Sequence, residues 1–134
     1  MTGASVLIVD DNPVNLRLVE ATLKGADYEV HGAADSSSAL EAVSSLRPRL
    51  ILMDIQLPGM DGLELTRRLK ADPATKHIPI VATTAYAMAG DEAKARQAGC
   101  DGYLAKPIDV LALPGVVSEY LHAAQGNGPN GRSG

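Results

Sequence analysis

Apolar and polar positions alternate along this chain in one rhythm, repeated five times: a short apolar run, then a stretch with helical spacing. Ser5–Val9 reads as a strand. Asn12 followed by Pro13 is a helix start, because an Asn side chain accepts from the free amides of a first turn and proline has no amide to waste there. Val14, Leu18, Val19 and Leu23 follow at helical spacing, and Gly25 is placed to end that helix. Tyr28–Ala33 is a second, weaker strand. Asp35 caps a second helix with Leu40, Val43 and Leu46 on its apolar face, Ser38 and Glu41 offer an alternative capping box, and Pro48 ends the segment. Leu50–Met53 is a third strand and Gly62–Ala71 a third helix, with Leu63, Leu65 and Leu69 apolar. Ile78–Thr83 is a fourth strand, "DEAKARQAG" a short polar helix ending at Gly99, and Gly102–Ala105 a fifth strand. Val116, Val117, Tyr120 and Leu121 mark a last helix. Proline inside a helix costs about 3 kcal/mol, so Pro114 belongs in its first turn and the helix begins near Leu113.

Strand–helix alternation with near-continuous apolar strands predicts a parallel sheet covered on both faces, with right-handed crossovers. In such sheets, sites form outside the carboxyl ends of the strands. The test is whether polar side chains collect at those ends.

They do. Strand one ends in Asp10-Asp11, strand three in Asp54, strand four in Thr83-Thr84 and strand five in Lys106-Pro107. Parallel strands bring these to one edge: three carboxylates, a hydroxyl and an ammonium. Carboxylates so placed repel, and a divalent cation with oxygen ligands, Mg2+ above all, removes the conflict. A carboxylate, a metal and a lysine together form a phosphoryl-transfer set: nucleophile, and two groups that neutralise the transferred charge. A lone aspartate at a strand end is ordinarily a cap or turn residue, and Asp61 and Asp91 are read that way. Four strand ends each offering a fitting group are harder to assign to caps.

Composition narrows the picture further. The chain has 134 residues, enough for one domain, and 46% are hydrophobic. Trp and Phe are absent, so the core must be Leu, Ile, Val and Ala. A net charge of -4 gives no basic footprint for nucleic acid. The apolar runs are too short to span a bilayer, and no leader pattern indicates secretion, so no membrane partner is expected. The single Cys100 excludes an internal disulfide and fits a reducing cytoplasm. It reads as a small buried filler. His31, His77 and His122 share no metal-ligand spacing. Residues 1–124 are expected to form the domain and 125–134, "QGNGPNGRSG", a disordered tail.

The chain resembles the receiver domains of two-component response regulators, the CheY-like superfamily. The resemblance covers Val6 to about Leu121 and rests on "LIVDDNPVN", "LILMDIQLPGMDG", "IPIVATTA" and "GYLAKP", in that order and spacing. It implies a flavodoxin-like (βα)5 sandwich with a parallel sheet of order 2-1-3-4-5. Position by position it makes Asp54 the phosphoacceptor, and Asp11 a direct Mg2+ ligand with Asp10 beside it. The main-chain carbonyl of Gln56 completes the metal shell. Thr84 becomes the switch hydroxyl, preferred over Thr83 because Ala85 follows it, and Tyr103 the switch aromatic. Lys106 becomes the phosphoryl contact, and Pro107 a cis-proline candidate. The implied partners are a histidine kinase or histidine phosphotransfer protein and a downstream protein that reads the face of the fourth helix, fifth strand and fifth helix.

Three other readings compete. A haloacid-dehalogenase-type phosphatase needs an aspartate two residues after its nucleophile, where this chain has Gln56. A pseudo-receiver that takes no phosphate is disfavoured because every expected site residue is present. A receiver excised from a hybrid histidine kinase or longer regulator would look much the same, and a free-standing receiver is preferred narrowly. Gln56 and Tyr86 are expected to flank the path of the water that hydrolyses the aspartyl phosphate. Tyr86→Ala, or a charged residue at Gln56, is therefore predicted to change the dephosphorylation rate. Decay of labelled protein unchanged from wild type in both variants would refute this.

Overall fold

Five parallel strands form one sheet in the order β2-β1-β3-β4-β5. The computed structural model describes residues 4–55, 57, 62–84, 91–106 and 108–126. The elements are β1 (Ser5–Val9), α1 (Pro13–Lys24), β2 (Glu29–Ala33), α2 (Ser36–Leu46), β3 (Leu50–Asp54), α3 (Gly62–Ala71), β4 (Ile80–Thr84), α4 (Asp91–Ala98), β5 (Gly102–Ala105) and α5 (Leu113–Gly126).

Strand alternation divides the core between the two faces. Val6, Ile8, Leu50, Leu52 and Val81 pack with Val19 and Leu23 of α1 and with Leu113, Val117 and Leu121 of α5. Leu7, Val9, Ile51, Met53, Ile80 and Ala82 pack with Val43 of α2, Leu65 and Leu69 of α3 and Ala95 of α4. Every residue of β3 and β4 is buried, which accounts for their unbroken apolar runs.

The caps follow the sequence. Asn12 accepts from the Val14 and Asn15 amides at 2.9 and 3.2 Å, and Asp35 accepts from the Ser38 amide at 2.8 Å. Asp35, not the Ser38–Glu41 pair, therefore caps α2. The Asp35 carboxyl is held below the usual carboxylate range by the hydrogen bonds it takes from Ser38.

Several boundaries differ from expectation. Gly25 closes α1 in right-handed conformation (φ -64), and the left-handed turn falls two residues later at Asp27 (φ 70). Half of the α1 stripe is not core: Val14 and Leu18 are 72% and 48% exposed. β4 runs Ile80–Thr84 rather than Ile78–Thr83, because Ile78 is taken up in a turn, its amide donating to Thr75 O at 3.0 Å. α5 continues to Gly126, past the tail boundary expected after residue 124, its last turn extending the helix that Leu113, Val117 and Leu121 anchor. The rest of that tail lies outside the described residues.

A staple at the amino edge of the sheet explains the shift of β4. Lys70 Nζ donates to Lys76 O (3.1 Å), Ile78 O (2.7 Å) and Asp101 Oδ2 (2.9 Å), and Asp101 Oδ2 also accepts the Ile80 amide (2.8 Å). One ammonium thus ties the end of α3 to the starts of β4 and β5. Gly99 makes room for it, with φ +108 and Lys70 Cγ 2.8 Å from where a Cβ would stand. Gly99→Ala is expected to cost about 2 kcal/mol in urea unfolding, from left-handed strain plus displacement of Lys70. A loss below about 0.5 kcal/mol, the ordinary range for surface changes, would contradict this.

Candidate functional site

The carboxyl edge of the sheet gathers acidic groups from two strands. Asp10 follows β1, with its amide donating to Ala33 O at 3.0 Å, and Asp54 closes β3. Both are buried, at 4% and 3% exposure, while Asp11 is exposed. One oxygen from each of Asp10, Asp11 and Asp54 lies within 4.8 Å of the others.

Lys106, just past β5, answers this charge. Its Nζ donates to Asp10 Oδ2 at 2.9 Å and to Asp54 Oδ2 at 3.1 Å. The Lys106 side chain is only 14% exposed. Burial works against the ammonium, but hydrogen bonds to Asp10 and Asp54 and their negative charge outweigh it, so its pKa is raised above the ordinary lysine value. The second oxygen of Asp10 accepts the Asn12 amide at 2.9 Å. Asp10 is therefore engaged at both oxygens, and Asp11 is the exposed member of the three.

The donor set fits a hard divalent cation. Three carboxylates outnumber the single ammonium, and one oxygen from each gathers within 4.8 Å of the others, a hard oxygen donor set of the kind that suits Mg2+. Gln56, the expected carbonyl ligand, lies outside the described residues, as do Tyr86 and Pro107.

Thr83 and Thr84 separate by face. Thr83 is Asp54's register partner, whereas Thr84 pairs with Ala105 and ends β4. Tyr103 pairs with Ala82 and packs on the cluster of the α2, α3 and α4 face. Alternation puts Thr84, two residues beyond Ala82, on that same face. Thr84 is fully buried, its carbonyl accepts the Lys106 amide at 2.7 Å, and the Tyr103 hydroxyl oxygen is shut off from solvent.

Gly62 contributes in a way its place at a helix start does not reveal. A Cβ there would collide with Asp54 O and stand 2.6 Å from Ile55 Cα. The Gly62 amide donates to Ile55 O at 3.2 Å, so the first turn of α3 lies directly on the backbone that carries Asp54. A glycine shortly after a strand-end carboxylate is the only signal the sequence carries for this.

Comparison with known proteins agrees with the geometry. The family model of the response regulator receiver domain matches residues 6–118. The polar-differentiation response regulator DivK of Brucella anthropi is 44% identical over 117 residues, covering 87% of this chain and 95% of that protein. A response regulator structure from Chloroflexus aurantiacus superposes with TM-score 0.85 at 35% identity, covering 90% of this chain and 98% of its own. The receiver domain of a Pseudomonas aeruginosa sensor histidine kinase, with a magnesium ion coordinated in its active site cleft, gives TM-score 0.82 at 38% identity, covering 90% and 98%.

In metal-free protein, Lys106→Met leaves three carboxylates without their cation. It should lose roughly 2–3 kcal/mol of stability at neutral pH, somewhat less than a fully buried pair broken on one side. Because Lys106's pKa is raised on folding, its stabilisation is complete below the unfolded lysine pKa of about 10.4 and fades as pH climbs through the higher folded value. Wild type should therefore show an alkaline loss of stability in EDTA that the variant lacks. Parallel pH–stability curves for the two proteins would overturn the assignment.

Proposed function

The chain belongs to the response regulator receiver domain family of two-component signalling, and from that premise we propose that it accepts a phosphoryl group on Asp54. The observation that carries the reading is the bridging of Asp10 and Asp54 by Lys106, beside the exposed Asp11. The donor is a phosphohistidine on a histidine kinase or phosphotransfer protein. Asp54 Oδ attacks phosphorus as the phosphorus–nitrogen bond breaks, and the electron pair stays with the imidazole. Lys106, already within hydrogen-bond reach of Asp54, stays close to the charge that arrives. Buried neighbours on β3 hold the nucleophile still, so little motion is spent in reaching the attack geometry.

Asp11, Asp10 and Asp54, with the Gln56 carbonyl, would hold Mg2+, which supplies charge neutralisation on the transferred group. The Mg2+-bearing Pseudomonas aeruginosa receiver supports this choice of ion. Thr84 then takes up a phosphoryl oxygen, and Tyr103, on the same face, follows the space it leaves. The surface of α4, β5 and α5 is what a downstream protein reads, as a population shift driven by a local charge.

Donor docking finds support beside the site. Pro13, Val14, Arg17 and Leu18 line a shallow hollow on α1, immediately after the acidic pair, and Val14 and Leu18 are its exposed apolar members. An apolar helix face on the donor would meet it and bring its histidine to Asp54. In this reading the chain is a cytoplasmic signalling acceptor with autophosphotransfer and slow autodephosphorylation, not a turnover enzyme. No helix among the described residues is long and apolar enough to cross a membrane.

Acetyl phosphate supplies the test. Wild type should gain one labile phosphoryl group with Mg2+ and none with EDTA, and Asp54→Ala should gain none under either condition. Absence of labelling in wild type would favour a phosphorylation-independent binding module. Sustained hydrolysis of phosphomonoesters would favour a phosphatase.

A further inference from the structure

At the amino edge of the sheet, opposite the carboxylates, lies a cleft with a different chemistry. Two adjoining hollows of about 380 and 320 Å³ share Arg47, Pro48, His77 and Ile78 in their walls. The larger is floored by Leu40 and Val43 of α2 and Leu69 of α3. Its volume falls within the range of about 300–1,000 Å³ typical of small-molecule sites, which pair an apolar floor with few polar groups.

Two arginines stand among the polar groups here. Arg47 and the His77 imidazole line both hollows and Arg49 the second, in a chain whose net charge is -4. Among the described residues none of the three takes part in an ion pair with a neighbour at this edge. Asp72 is the acid in these walls, and its Oδ1 is occupied by the Ala74 amide at 2.9 Å. Arg47 also holds a left-handed backbone (φ 49) ahead of Pro48, a conformation that costs a side chain about 1 kcal/mol and that glycine would adopt freely. An apolar floor and two arginines outside any ion pair among the described residues together specify a complementary ligand.

We propose that this cleft binds a small amphipathic anion. Its apolar body sits over Leu40, Val43 and Leu69, and its carboxylate, sulfonate or phosphate lies among Arg47, Arg49 and His77. The site is separate from the carboxylate edge and does not depend on phosphoryl transfer.

The probe is 8-anilinonaphthalene-1-sulfonate, which has an apolar body and one fixed anionic group. Titrated into the full chain, it should bind saturably, and amide shifts should concentrate in residues 40–49 and 69–78. Loss of one charge-assisted contact is worth about tenfold in affinity, so Arg47→Glu or Arg49→Glu should each weaken binding at least that much. Thermal melts establish that each variant is folded, and N-phenyl-1-naphthylamine, which lacks the sulfonate, should bind wild type about tenfold more weakly for the same reason. Equal affinity for the neutral probe, binding indifferent to both charge reversals, shifts centred elsewhere, or no saturable binding would each overturn the proposal.

Discussion

A single ammonium holds aspartates from two different strands. Lys106 lies just past the last strand, Asp10 just past the first and Asp54 at the end of the third, and Lys106 Nζ is 2.9 and 3.1 Å from the two carboxylates. The rest of the domain can be understood as what makes this contact possible. Carboxylates crowded at one edge repel, and an apolar sheet is a poor medium for them. They are tolerable because β1, β3 and β5 run parallel and end together, so the lysine arrives where the negative charge collects. The same arrangement leaves an excess of carboxylate over ammonium, a charge balance that suits a divalent cation.

Rigidity at this edge has a traceable origin. β3 is buried on both faces, and α3 begins on its last residues through Gly62. At the other end of α3, Lys70 fastens the helix to β4 and β5 through two carbonyls and Asp101. Both lysines replace what would be loose loops with shared hydrogen bonds. They differ in what they face: Lys70 is held by two carbonyls and one partly exposed acid, whereas Lys106 bridges two buried acids. That difference separates a structural tie from a site with chemistry left to do.

Much of this was legible beforehand. Periodicity located all ten elements, and Asn12 and Asp35 cap where their hydrogen-bonding chemistry predicts. Boundaries moved where a contact distant in sequence intervened. Ile78 reads as strand from its own apolar character, yet Lys70 claims its carbonyl and Thr75 its amide. Val14 and Leu18 read as core from helical spacing, yet they stay exposed beside the acidic pair. Spacing states which residues share a helix face but not whether a sheet lies beneath each turn.

For this protein, local sequence was enough to decide the order of elements, the parallel architecture and the identity of the strand-end groups. Those depend on side-chain period and on turn chemistry, which act over a few residues. Only the tertiary structure decided which of those groups meet. The Lys106 bridge spans 96 residues to Asp10 and 52 to Asp54. The cleft at the amino edge likewise draws its walls from α2, α3 and the segments ahead of β3 and β4, far apart in sequence. Such contacts form only after the chain has closed long loops, so no local pattern records them.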